Sequence, residues 1–271
     1  MFSKLRQLGA NHTSSTKQEG DALPGFYTFQ SHFGSVSLHR SDSLRLIGFP
    51  DEVLPSVRGV IQQSWPKGVR SEGLYGGSYE FRMHGYPWFG KGLEGVAARR
   101  LIRNLLAMLC SLGWVMTISM DVSKKTEDKD SMIFRHQSPP PPQCEWISVS
   151  FSSWDKIRLY DAPSELITAL TQDLRPVLSP ATAFQHSPGV AELRCVGAPW
   201  FANGKATMMS RQIALQIVMT FEQHGFSVYA SIDQKLNIDN RRQGHPTFSE
   251  TDTWHACRPV DWRPGMPVFH K

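Results

Sequence analysis

Positive charge is too scarce here for a dedicated nucleic-acid binder: 29 lysines and arginines face 24 aspartates and glutamates, a net +5 over 271 residues. None of the basic groups, Arg99-Arg100 with Arg103, Lys124-Lys125 or Arg241-Arg242, forms a stripe interleaved with aromatics. Nucleic acid is therefore not the expected partner. Long apolar runs are also missing. The most apolar stretch, Leu105 to Met120, covers 16 residues and contains Ser111 and Gly113, short of the roughly 20 that a membrane-spanning helix needs. Met1-Phe2-Ser3-Lys4-Leu5-Arg6 lacks the apolar core of a secretory signal. The expectation is a chain with no transmembrane segment, in the cytoplasm, with the nucleus left open. The four cysteines, Cys110, Cys144, Cys195 and Cys257, stand dozens of residues apart with no C-x-x-C or Cys/His pairing, which argues against a zinc site and for a reducing compartment. Phosphate-loop and dinucleotide fingerprints are lacking. No catalytic residue, metal or cofactor is assigned, and the sequence favours a binding protein over an enzyme.

What the chain does have is an internal repeat. Ser35-Val36-Ser37-Leu38, Leu44-Arg45-Leu46 and Pro50 return 113 residues later as Ser148-Val149-Ser150-Phe151, Ile157-Arg158-Leu159 and Pro163. The run Glu80-Phe81-Arg82-Met83-His84-Gly85-Tyr86-Pro87-Trp88-Phe89 returns after 112 as Glu192-Leu193-Arg194-Cys195-Val196-Gly197-Ala198-Pro199-Trp200-Phe201. The same shift superposes Arg99 on Arg211, Gly113 on Gly225 and Asp121 on Asp233.

Periodicity assigns each copy two short alternating strands, a helix after Pro50 or Pro163, a third strand ending at Gly-x-Pro-Trp-Phe, a long amphipathic helix closed by Gly113 or Gly225, and two final strands. The fold class is α+β: a tandem duplication of a β-β-α-β-α-β-β unit, each a mixed sheet with two helices on one face. The boundaries are a disordered segment over 1–24, a first repeat over 25–136, a Pro-rich linker over 137–143, a second repeat over 144–260 and an extended tail over 261–271 in which Trp262 looks exposed.

Three constellations recur in both copies. Trp88 and Trp200 stand where a strand breaks into a helix, so each indole either plugs the core, the default, or forms a stacking wall for a ligand. Lys91 and Lys205 precede the following helix, where free amides and a cation suit an anion. Alternation turns Glu80 with Arg82, and Glu192 with Arg194, away from the helices, together with Thr117, Ser119 and Asp121 or Tyr229, Ser231 and Asp233. That face reads as a solvated surface, a polar interface between the copies or a ligand groove. Arg99 and Arg211 sit early in the long helix, where a cation opposes the dipole and calls for a buried carboxylate or an acidic ligand. The function expected from these features is that of a non-enzymatic adaptor with two pseudo-equivalent domains and a protein partner. The alternative is an enzyme or carrier for an anionic small molecule or lipid head group at the cleft between the repeats.

Overall fold

Each half of the chain begins with a tight antiparallel hairpin, β1 (Phe33–His39) with β2 (Ser43–Ile47) and, in the second half, β7 (Cys144–Ser152) with β8 (Lys156–Tyr160). The computed structural model describes residues 31–121, 130–180, 184–234 and 252–271. The expectations for residues 1–24, Lys124-Lys125 and Arg241-Arg242 lie outside these. Alternation works as the sequence implies, with Val36, Leu38, Leu44 and Leu46 buried on one face and Arg45 turned to the other.

After the hairpin comes α1 (Leu54–Ser64) or α3 (Ser164–Asp173), then a second hairpin of β3 (Val69–Tyr75) with β4 (Ser78–Met83) or β9 (Phe184–Ser187) with β10 (Val190–Arg194). The long helix α2 (Gly92–Ser111) or α4 (Thr207–Gln223) follows. Each unit closes with β5 (Trp114–Met120) and β6 (Ser131–His136), or β11 (Ser227–Ile232) and β12 (Thr253–Pro259). The two six-stranded sheets have matching orders, β3-β4-β2-β1-β6-β5 and β9-β10-β8-β7-β12-β11. The duplication is thus a structural fact.

Two details differ from expectation. Each unit holds one strand more, β3 or β9, and every described strand pair is antiparallel rather than mixed. One causes the other. A direct helix crossover from β2 to its neighbour β4 would give a parallel pair, but the additional hairpin strand reverses the chain and brings β4 back antiparallel to β2. Alternation did not reveal β3 because, as an edge strand, it buries neither face.

The repeats stack in layers. Helices α1 and α2 cover the first sheet, with Val57, Ile61, Leu101, Ile102 and Leu105 in its core. The opposite side of α2 then lies against the back face of the second sheet, where Val96 packs with Tyr160 and Val190. The second sheet's other face carries α3 and α4 through Leu166, Leu170, Ile213 and Ile217. Helix α2 is therefore covered on two sides, whereas α4 is covered on one. The tail folds back over this body. Trp262 is buried rather than exposed because Gly225 (φ +78°) has no side chain: a Cβ there would meet the indole at 2.3 Å. Farther along, the Phe269 carbonyl accepts the Ser227 hydroxyl at 2.6 Å. Among the described residues, no helix is long and apolar enough to cross a membrane.

Candidate functional site

The corner motif is built identically in both repeats. Gly85 and Gly197, each at φ +74°, release the strand, and Pro87–Phe89 or Pro199–Phe201 forms a 3-10 turn. The Trp88 amide donates to the Ser41 carbonyl and its indole to the Ser43 carbonyl at 3.1 Å. The Trp200 amide and indole find the equivalent carbonyls of Trp154 and Lys156, the latter at 3.2 Å. Trp88 is fully buried, and Trp200 is half-buried with its ring edge-on to Phe151. Both tryptophans bolt the corner to the first hairpin of their own repeat. The outer side chains of the same corners behave differently. Tyr86 and Leu93 stand exposed in the first repeat, and Val196, Phe201 and Trp154 in the second, with Phe201 stacked on Trp154.

Lys91 and Lys205 are exposed ahead of α2 and α4. The positive end of α2 already has an acid in its first turn, Glu94, which pairs with Lys67.

The glutamates lie on the face away from the helices of their own repeat, as alternation requires, yet they are not solvated. Glu80 accepts from Arg45 at 2.7 Å and lies 3.2 Å from Arg82. Glu192 is held by Arg158 at 2.9 Å, Arg194 at 3.2 Å and Lys156 at 3.3 Å. Burial pushes the Glu192 carboxyl up, but bonds from Arg158 and Lys156 outweigh it and hold the group below the usual carboxylate range. Arg45 and Arg158, directly opposite the glutamates in register, complete both clusters and were not among the expected site residues. Their recurrence at the fixed offset was visible. Their neighbourhood was not, because it depends on which strand pairs with which.

Of the readings open for this face, the second sheet takes that of an interface between the copies. Ser148, Ser150, Tyr160 and His255 are buried there. Ser148 Oγ lies 2.9 Å from His255 Nδ1, the Gln234 amide 2.7 Å from Nε2, and Ser150 bonds the Tyr160 hydroxyl at 3.0 Å. Burial, reinforced by Arg103 and Arg99, pushes the His255 imidazole down to about 3, so it is neutral. At the edge, Asp161 receives two bonds from Arg100, at 2.6 and 2.8 Å, and one from Arg103. Burial raises the Asp161 carboxyl, but these arginines more than offset it and hold it below its ordinary value. Gly189 (φ +72°) makes room for this pair, since a Cβ would meet Asp161 Oδ1 at 2.3 Å.

The two equivalent arginines have different fates. Arg99 is only 6% exposed, with its guanidinium 5.6 Å from the Tyr160 ring centre and Nη1 donating to the Gly95 carbonyl. Arg211 is exposed and donates to the Thr207 carbonyl of its own helix. Tyr229 also departs from expectation: it is buried, and its hydroxyl accepts the Met116 amide at 2.8 Å across the repeats. Both closing strands bulge here, β5 between Met116 and Ile118 and β11 between Val228 and Ala230, but Thr117 is exposed whereas Tyr229 is covered by the first repeat.

Three cysteines far apart in sequence meet where the end of α2 approaches β7 and β12. Burial pushes Cys110 up to about 11, and a bond with Cys257 lowers Cys144. The bond with Cys144, then burial, raise Cys257 itself. Two recesses lie elsewhere: one of about 860 Å³ beside Thr168, Thr171 and Arg175, and one of about 470 Å³ between Phe33, Phe49, Trp114 and His136. Neither includes an expected site residue.

One domain family, whose description names no activity, matches the chain twice, over residues 32–135 and 145–257. No curated protein and no solved structure matches it.

Proposed function

Since the chain belongs to that domain family and carries its unit twice across most of its length, we propose that it is a non-enzymatic adaptor that binds protein partners through the outer side chains of its two corners. The observation that carries this reading is the division of labour within the motif. The tryptophans serve the core, while Tyr86 and Leu93 in one copy, and Val196, Phe201 and Trp154 in the other, remain exposed around the two corners, at different positions of the repeat. Clustered exposed apolar side chains of this size mark interaction surfaces in soluble domains. The two sets differ in chemistry, phenolic and aliphatic against stacked aromatic, which suits two different partner segments on one chain. A reducing, cytoplasmic setting suits its four free thiols.

An anionic small molecule or lipid head group between the repeats finds less support, because Arg99, Tyr160, His255 and Ser148 are already packed together there. The test is photo-crosslinking of the full chain in cell extract, with a benzophenone side chain at Tyr86, at Phe201 or, as a control on α1, at exposed Gln62. Discrete protein adducts from the two corners and none from Gln62 are expected. Equal trapping at all three positions would count against the reading. A rise in melting temperature with inorganic phosphate at low salt, lost in Lys91→Gln and Lys205→Gln chains, would favour the anion alternative.

A further inference from the structure

The outward face of α4 repeats the position of the α2 face that lies against the second sheet, but with different residues. At the 112-residue offset, Val96, Arg99, Arg103 and Ala107 of α2 become Met208, Arg211, Leu215 and Met219. In α2 three of these positions are engaged: Val96 packs on Tyr160 and Val190, Arg99 lies over Tyr160, and Arg103 grips Asp161. In α4 none of the described residues covers them, and Met208, Leu215 and Met219 are 53%, 62% and 47% exposed.

A second sheet stacked on α4 in the manner of α2 would lack its fasteners. Gln212 stands at the place of Arg100 and Leu215 at that of Arg103, while Gly48 in the first sheet occupies the place of Asp161. Leu215 in the place of Arg103 exchanges an ion-pairing side chain for an apolar one, and with Met208 and Met219 it forms an apolar stripe flanking Arg211, the pattern of a helix that meets another helix. Charge is arranged for one orientation. The N-terminal half of the stripe carries the exposed Arg211 and the C-terminal half Glu222, which is half-buried and lies 3.6 Å from His270 of the tail.

We infer that α4 is a homotypic face: it pairs antiparallel with α4 of a second copy about a two-fold axis near Leu215. In that arrangement residues equidistant from Leu215 meet, so Met208 of one chain faces Glu222 of the other and Arg211 faces Met219. Arg211 then lies within one turn of the opposing Glu222, twice over, and the helix dipoles oppose. The pair is closed, leaves no free copy of the face, and holds the two corner surfaces of each chain in duplicate. A 17-residue helix is about 25 Å long, so the contact falls at the small end of specific interfaces and the pairing is expected to depend on concentration.

This inference does not rest on the adaptor reading. Its test is sedimentation equilibrium of the full chain from low to high micromolar concentration, at low salt. The weight-average mass is expected to climb from 30.6 kDa towards twice that value, and Leu215→Glu to hold it at the monomer with an unchanged melting temperature. Arg211→Glu and Glu222→Arg chains should each associate at least about tenfold more weakly. An equimolar mixture of these two should recover pairing, as should the double variant, because opposite charges then meet again. A chain that stays monomeric throughout overturns the proposal. So does a dimer that ignores Leu215→Glu, or charge reversals that mixing does not rescue. Corner crosslinks that persist in the Leu215→Glu chain would show the adaptor reading standing independently.

Discussion

Acid should loosen the joint between the repeats, and His255 sets the size of the effect. The imidazole is fully buried between Ser148 and Gln234, under Arg99 and Arg103 of α2. In the unfolded chain it takes up a proton near the ordinary histidine value of about 6.5, whereas in the folded chain it does so only near 3. The unfolded state therefore binds the extra proton at intermediate pH. The stabilising effect is fully present above about pH 6.5 and is lost as pH falls towards 3. Each pH unit inside that window costs about 1.4 kcal/mol, which amounts to about 2 kcal/mol between pH 7 and pH 5. Asp161 and Glu192, held low by their arginines, lose stability only at more acidic pH, so the interval above pH 5 isolates the histidine. Urea unfolding followed by tryptophan fluorescence should show this loss in the natural chain. His255→Gln should be less stable at neutral pH, since it disturbs a buried network, yet it should lack the histidine's part of the pH dependence. Equal changes between pH 7 and 5 in both proteins would refute the reasoning.

Trp88→Ala should destabilise the fold by roughly 3 to 5 kcal/mol, as large-to-small changes in a closed core do, and Trp200→Ala by less, because Trp200 is only half-buried. Thermal melts giving the reverse order would show that burial of the indole does not set its contribution to the corner. Asp161→Asn should cost on the order of 2 kcal/mol by leaving Arg100 and Arg103 short of their acceptor. Hydrogen exchange should place the loosened amides in α2 and β8, and protection unchanged there would rule out Asp161 as a fastener between the repeats.

The sequence by itself determined the local and the repeated. A fixed offset of 112 or 113 residues, two alternating runs and a glycine-closed amphipathic helix gave the α+β unit, its duplication and the long helices to within a few residues, because these depend on spacings of two and 3.6 along one chain. It also gave the tryptophan plugs, since Gly-x-Pro-Trp-Phe dictates where the backbone can turn. What it could not show was anything decided by a partner distant in the chain. The edge strand β3 lacks a buried face and so carries no alternation, yet β3 and its counterpart β9 make both sheets antiparallel. Arg45 and Arg158 look like ordinary strand residues until strand order sets them opposite Glu80 and Glu192. Arg99 and Arg211 occupy the same place in the repeat, and only the stacking of the second sheet on α2 buries one and leaves the other in solvent. Burial of a polar group depends on what lies across from it, and that is a property of tertiary packing rather than of either repeat's own sequence.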